Sequence, residues 1–220
     1  MIRRTIDILM AASVLVLTAP VVAAVAGLNW VTTRRVFFIQ TRIGRDLQPF
    51  GIVKFQTMVD GAAETGTVTV HGDRRVTSLG RVLRTLKLDE LPQLINVLRG
   101  EMSLVGPRPL TPNEVAAIPA GLAHRVYAAR PGMTGIAALA FIDEERLLAA
   151  ASNPEAAYFE RILPQKVALE LAYTQRRTWW TDLAILLLTP LAGVSGTLRR
   201  AAMRWLIPST TSPTQKEPAP

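Results

Sequence analysis

The alternation of apolar and polar positions divides the chain into a long uncharged opening run, a mixed middle and a second apolar stretch near the end. No charged residue occurs between Asp7 and Arg34, and residues 8–33 carry only Ser13, Thr18, Asn29, Thr32 and Thr33 as polar punctuation. As a helix this run measures roughly 39 Å at about 1.5 Å per residue, enough to cross a hydrocarbon core of about 30 Å. Pro20 falls mid-run, where it removes a helix hydrogen bond and predicts a kink between two limbs of about 20 Å each. Arg3 and Arg4 precede the run, and Arg34, Arg35, Arg42 and Arg45 follow it, so both ends carry the basic flank of a cytoplasmic surface. A segment that enters, turns at Pro20 and leaves by the same face satisfies that charge pattern. A plain span and a cleaved leader, with small residues around Ala24 to Ala26, are the alternatives.

Residues 36–55 set β-branched and aromatic runs around Gly44 and predict a β-hairpin. Residues 59–72, with Gly61, Gly66 and Gly72 and few large apolar side chains, predict a mobile loop. Helical spacing resumes over 78–86, with Leu79, Val82, Leu83 and Leu86 on one face and Arg81 and Arg84 off it. Leu88, Leu91, Leu94, Ile95 and Leu98 continue the pattern to a stop at Gly100. The strings Gly106-Pro107-Arg108-Pro109 and Arg130-Pro131-Gly132-Met133-Thr134-Gly135 predict rigid turns. A helix over 114–130 is interrupted by Pro119 and Gly121, and an amphipathic helix is expected over 155–177 despite Pro164. Residues 183–198 are uncharged but broken by Pro190, Gly193 and Gly196. Trp179, Trp180, Trp205, Arg199, Arg200 and Arg204 bound them, as in an interfacial segment, with a core helix as the alternative. Residues 208–220 read as a disordered Pro-rich tail.

Composition narrows the class. The 220 residues hold 25 Lys+Arg against 17 Asp+Glu, a net charge of +8, with 49% hydrophobic residues and a mean hydropathy of +0.24. A chain both basic and apolar suits the anionic face of a membrane better than nucleic acid. The tryptophans also sit at the edges of an apolar segment rather than among the cations, which argues against nucleic acid as a partner. With no Cys and two His, a disulfide framework, a thiolate zinc site and a cysteine nucleophile are excluded. Any catalysis falls to carboxylates, hydroxyls or amines.

Asp89-Glu90 is the carboxylate pair with the most suggestive surroundings. If the helix that stops at Gly100 begins here, Asp89 lies at or near its N-cap and Pro92 in its first turn, and the positive helix end favours the ionised carboxylate. Asp89, Gln93 and Asn96 then form one polar stripe opposite the leucines, available for function. Adjacent helical residues point about 100° apart, so the two acids cannot share a proton as a dyad but can flank a cation. A carboxylate is a usable nucleophile when a metal polarises its electrophile and cations screen an anionic phosphate. Arg75, Arg81, Arg84, Lys87, Arg108, Arg125 and Arg130 supply candidate cations. The bland alternative is a capping carboxylate followed by a solvated one.

The run from Arg84 to Pro109, through Lys87-Leu88-Asp89-Glu90-Leu91-Pro92-Gln93-Leu94, Asn96-Val97-Leu98-Arg99-Gly100-Glu101-Met102-Ser103 and Gly106-Pro107-Arg108-Pro109, resembles the bacterial sugar transferases, the monotopic phosphoglycosyltransferases. The likeness extends to Arg4 and Asp7 ahead of Pro20, Phe37-Phe38-Ile39-Gln40-Thr41-Arg42-Ile43-Gly44, Lys54-Phe55-Gln56-Thr57-Met58, Asp73 with Arg75-Val76-Thr77, Arg130 to Gly135, and Trp180-Thr181-Asp182-Leu183. It implies an enzyme of the bacterial inner membrane, monotopic at its cytoplasmic face. The enzyme would move a phosphosugar from a UDP-sugar to polyprenyl (undecaprenyl) phosphate and release UMP, initiating exopolysaccharide, lipopolysaccharide O-antigen or other glycoconjugate synthesis. By position, Asp89 would be the nucleophile that forms an aspartyl-phosphosugar intermediate. Glu90 would assist, and both acids would hold Mg²⁺. Lys54, Arg75, Arg84, Arg108 and Arg130 would bind substrate, and Pro20 would kink a re-entrant membrane helix.

The resulting expectation is an α+β, mainly α chain. It comprises a re-entrant helix over 1–35, a catalytic domain over 36–207 with a small β-hairpin and interfacial amphipathic helices, and the tail over 208–220. Membrane lipid is a partner in this reading, and downstream glycosyltransferases or self-association are admitted. Three positions depart from the family pattern: Ala19 replaces a serine before the kinking proline, Gln56 stands where a second basic residue is common, and apolar residues 136–141 followed by Asp143-Glu144-Glu145-Arg146 replace a polar segment. The last departure bears on sugar choice or lipid contact. A non-catalytic membrane-anchored scaffold of the same fold is the rival reading, and the joint presence of Asp89, Glu90, Arg84 and Arg108 argues against it.

Overall fold

A 32-residue helix, α1 (Ile2–Thr33), opens the chain in the computed structural model, which describes residues 2–62, 69–192 and 206. Strands β1 (Phe37–Ile43) and β2 (Pro49–Phe55) form the expected antiparallel hairpin, in register from Phe37 opposite Phe55 to Ile43 opposite Pro49. Next come α2 (Ser78–Thr85), a 3-10 turn at Leu88–Glu90, and α3 (Gln93–Arg99). Strand β3 (Ser103–Val105) pairs in parallel with β4 (Gly132–Thr134), and the connection between them carries α4 (Pro112–Ala116) and α5 (Ala120–Val126). Five further helices follow: α6 (Ile136–Ala140), α7 (Glu144–Ala149), α8 (Pro154–Ala157), α9 (Leu163–Arg176) and α10 (Trp179–Ala192). The described residues are thus mostly helical with two small two-stranded sheets.

Several local outcomes follow from the residues. Gly100 ends α3 at φ +86°, the left-handed conformation that glycine takes without a Cβ clash. Thr77 caps α2 through its hydroxyl, which accepts from Gly80 N at 2.9 Å. On α2 the four-residue apolar face is split: Leu83 is buried against Phe55 and Val25, whereas Val82 and Leu86 are 54% and 61% exposed. Residues 130–135 are more than a turn, because Gly132 to Thr134 form β4. Pro164 is accommodated by a π turn, Tyr158–Ile162, that widens the helix just ahead of it. Pro190 lies inside α10 rather than ending it. Gly193, Gly196, Arg199, Arg200, Arg204, Trp205, the tail over 208–220 and part of the 59–72 loop, including Gly66, lie outside the described residues.

Both ends of α1 are fastened to the rest of the chain. Near its start, Arg4 donates to the Val97 and Leu98 carbonyls at 2.6 and 3.1 Å, filling acceptors at the end of α3, while Asp7 accepts from Ser103 Oγ and Leu104 N. Near its end, the buried Asn29 donates to the Val36 and Gln56 carbonyls at 3.2 and 3.0 Å. Ala11 joins the main core with Leu94, Val97, Ile136, Leu139 and Ile185, and Val25 joins Phe55 and Leu83 in a smaller one. Between these anchors Val16 and Leu17 are 73% and 79% exposed, and α1 is long and apolar enough to cross a membrane by length and composition. The helix runs through Pro20. Thr18 donates to the Val14 carbonyl at 2.7 Å, so it does not serve the Val16 carbonyl that Pro20 leaves without its helical donor.

Candidate active site

Asp89 and Glu90 occupy the 3-10 turn between α2 and α3, not the N-cap of α3, whose cap position is Pro92. The cause lies two residues earlier. Lys87 takes the left-handed conformation at φ 57°, which breaks the helix path between Leu86 and Leu88 and turns the acids inward. Asp89 is consequently 8% exposed. The stripe of Asp89, Gln93 and Asn96 faces inward as well, contrary to the expectation that it would be available: Gln93 is 2% and Asn96 0% exposed. Asn96 docks α3 on the hairpin, its side chain accepting from Val53 N at 3.0 Å and donating to Gly51 O at 2.8 Å, as a neighbouring strand would.

The hairpin then brings in cations. Its register puts Phe38, Gln40 and Arg42 of β1 on the same face as Ile52 and Lys54 of β2. Lys54 donates to Glu90 Oε1 at 2.9 Å, and Arg108 Nη2 lies 3.6 Å from the same oxygen. Burial works against the ionised form of Glu90, but the charges of Lys54, Arg108 and Lys87 outweigh it and hold its pKa well below the carboxylate range. Asp89 moves the other way. Burial and the neighbouring Glu90 charge raise its pKa, and Lys54, Lys87 and Arg84 offset only part of the rise. Asp89 Oδ1 is buried without a hydrogen-bond partner among the described residues. Arg42, Lys54, Gln93, Arg108 and Met133 line a small cleft beside these acids.

The other candidate cations are placed differently. Arg84 on α2 donates to Thr57 Oγ1 at 3.1 Å and reaches Glu145 at 3.5 Å, at the mouth of the site. Arg75 makes a two-pronged pair with Asp73, at 3.0 Å from Nε and 2.7 Å from Nη2, and donates to Ala62 O. Arg130 donates to Gly100 O at 2.9 Å, at the far end of α3 from Asp89. The structure therefore gathers Asp89, Glu90, Lys54 and Arg108, sets Arg84 at the rim, and commits Arg75 and Arg130 to loop backbones and a carboxylate.

Two groups near the cleft were not among the candidates. Arg42 was legible from strand alternation, which places it on the Lys54 face. Glu170, 5% exposed on the inner face of α9, accepts from Ala137 N at 3.2 Å behind the cleft. Its signal is a lone acid three residues after Val167 and seven after Leu163 on an apolar face. Burial pushes its carboxyl up to about 7.

The acids fit a divalent cation. Mg²⁺ takes one or two protein carboxylates and completes its shell with phosphate and water oxygens. The partnerless Asp89 oxygen beside ionised Glu90 offers that donor set. Among the described residues no cluster of three or more His, Cys, Asp and Glu forms a dedicated cage.

Comparison with known proteins identifies the family of the chain. The family model "Bacterial sugar transferase" matches residues 1–196. The chain is 38% identical over 195 residues to the UDP-glucose:undecaprenyl-phosphate glucose-1-phosphate transferase of Caulobacter vibrioides, which covers 85% of this chain and 67% of the relative. It is 36% identical over 153 residues to the exopolysaccharide production protein ExoY of Rhizobium meliloti, covering 62% of this chain and 67% of the relative. It is 39% identical over 138 residues to the UDP-N-acetylgalactosamine-undecaprenyl-phosphate N-acetylgalactosaminephosphotransferase of Aeromonas hydrophila, covering 61% of this chain and 33% of the relative.

Proposed function

The chain belongs to the bacterial sugar transferases, and on that premise we propose that it transfers a sugar 1-phosphate from a UDP-sugar to undecaprenyl phosphate, releasing UMP, through a covalent intermediate on Asp89. The observation that carries this reading is the buried, partnerless Asp89 oxygen next to an ionised Glu90 that Lys54 and Arg108 hold in place. A carboxylate whose pKa is raised is a stronger nucleophile once ionised, and the surrounding cations screen the approach of an anionic donor.

Asp89 attacks the donor's β-phosphorus. The new oxygen–phosphorus bond forms as the bond to the bridging oxygen breaks, and UMP leaves with that electron pair. An oxygen of undecaprenyl phosphate then attacks the same phosphorus and returns Asp89 as a carboxylate. Arg108 and Lys54 stabilise charge on the transferring phosphoryl group, and Arg84 receives the donor's phosphates at the rim. Asp89 and Glu90 would hold Mg²⁺, which supplies charge neutralisation at the diphosphate. The names of the relatives divide between glucose and N-acetylgalactosamine, so the sugar is the variable part of this reading.

The proposal places the enzyme at the cytoplasmic face of the inner membrane, with α1 entering and leaving by one face at Pro20. Attachment of both ends of α1 to one domain supports this, because a helix so held cannot put its ends on opposite sides of a bilayer. Exposed Trp179, Trp180 and Leu187 on α10, with Val82 and Leu86 on α2, suit the lipid interface.

Incubating the purified protein with a panel of labelled UDP-sugars tests the chemistry. Label should appear on the Asp89 peptide and be lost, together with UMP release, in Asp89→Asn and after EDTA treatment. An Asn variant labelled as strongly as wild type overturns the nucleophile assignment. For the topology, a cysteine introduced at position 1 should be reachable from the cytoplasm in wild type and from the periplasm once Pro20 is replaced.

A further inference from the structure

Arg108 projects from a turn that belongs to no helix or strand, yet four successive carbonyls there are all taken, by donors from β4, the residue after α5 and β1. Gly132 N donates to Pro107 O at 2.9 Å, the Tyr127 hydroxyl to Arg108 O at 2.9 Å, Arg42 Nη1 to Pro109 O at 3.2 Å, and Ile43 N to Leu110 O at 2.8 Å. The same Tyr127 oxygen accepts from Leu110 N at 3.2 Å, so one atom bridges the turn across Pro109, from the Arg108 carbonyl to the Leu110 amide. Tyr127, just past α5, is 1% exposed.

Arg42 is itself fixed. Its Nε and Nη2 donate to Gln40 Oε1 at 3.0 and 2.7 Å, and its Nη1 reaches Glu114 at 3.4 Å. Glu114 is held in turn by Thr111 N and Oγ1 at 2.6 and 2.7 Å and by the Tyr158 hydroxyl. Among the described residues the guanidinium of Arg108 has no such scaffold. Its side chain is 39% exposed, and its recorded ion pair is the 3.6 Å approach to Glu90.

We propose that Tyr127 and Arg42 are positioning residues that aim the Arg108 guanidinium at the transferring phosphoryl group by clamping the backbone of residues 108–110, without touching substrate. The inference rests on the reading of Arg108 as a phosphoryl-binding cation. Pro107 and Pro109 fix two φ angles, and Pro109 also confines Arg108 to extended backbone, but neither anchors the Arg108 and Pro109 carbonyls to the surrounding elements. The hydroxyl and the guanidinium above it do. A misplacement of about 1 Å at a reacting group lowers rate on the order of 10²-fold, so a loosened clamp registers in kinetics before it registers in folding.

The test compares Tyr127→Phe, Arg42→Lys, Arg108→Ala and the two double variants with Arg108→Ala, as full-length proteins in lipid nanodiscs. It measures UMP release with the UDP-sugar turned over fastest, alongside melting temperature. Tyr127→Phe and Arg42→Lys should each lower kcat/KM by about 10- to 100-fold. On the Arg108→Ala background each should lower it less than about 3-fold further, because the group they aim is already gone. Losses that multiply in the double variants, or a lowered melting temperature with wild-type kinetics, overturn the inference while leaving Arg108 in its role. Wild-type kcat/KM in Arg108→Ala alone removes the role of Arg108 and the inference with it. Should Tyr127→Phe not fold, Arg42→Lys alone decides the matter by the same criteria.

Discussion

Replacing Glu170 by Gln should stabilise the protein at pH 8 and have little effect near pH 5. The carboxyl is 5% exposed, and burial lifts its pKa from 4.5 to about 7, with the Ala137 N–H and the charges of Arg177 and Lys166 offsetting part of the rise. A folded-state value above the unfolded one means the native protein binds the extra proton. The stability this lends is complete below about pH 4.5 and is lost as pH rises through about 7. At about 1.36 kcal/mol per pH unit, the loss comes to about 3 kcal/mol between pH 4 and pH 8. For a chain of this size, the part falling between pH 5 and pH 8 amounts to about 5–10 °C in melting temperature. Glutamine keeps the acceptor for Ala137 N and the shape of the side chain while removing the charge. Thermal unfolding of both proteins in one detergent from pH 5 to pH 8 should give curves that nearly coincide at pH 5 and separate at pH 8, with the variant higher. Curves that stay parallel across that range would refute the reasoning, because the buried carboxyl would then titrate as it does in water.

Lys54→Met should cost about 3 kcal/mol, near the lower end for breaking a buried pair, because Glu90 is then left with Arg108 at 3.6 Å; an unchanged melting temperature would contradict it. Gly132→Ala should prevent folding or destabilise by about 3 kcal/mol or more, since its Cβ would lie 2.1 Å from Gly106 N and 2.5 Å from Thr134 O. Gly121→Ala, with open space around it inside α5, should instead stabilise the protein by up to about 1 kcal/mol, seen as a higher unfolding midpoint. Asn29→Ala leaves the Gln56 carbonyl without its donor and the Val36 carbonyl with Gln56 N alone, and should cost about 1–3 kcal/mol, seen as faster tryptic cleavage after Arg34 and Arg35.

What the residues disclosed in advance follows from where their signals are local. The hairpin, the stop at Gly100 and the amphipathic stretch ending in α9 rest on periodicity or on single residues with one conformational use, and each is present. Strands β3 and β4 are three residues each, too short for alternation to register, and they pair across an intervening pair of helices. The helix start was displaced from Asp89 to Gln93 because Lys87 adopts a conformation that its side chain does not advertise. Val82 and Leu86 carry helical spacing yet stay uncovered, since periodicity tells which face is apolar but not what will cover it. The inward-facing polar stripe is the instructive case. Asn96 is polar because it replaces a strand, a role visible only once β2 lies beside it.

The burial of Ala11, Val25 and Asn29 makes α1 a wall of the molecule as well as its greasy appendage. Trimming that helix to obtain a water-soluble catalyst would tear open two packed interiors and strand the acceptors at the end of α3. A soluble derivative has to be reached by recoating instead: polar side chains at Leu9, Val16, Leu17 and Val31, all more than 60% exposed, with the inward positions left as they are.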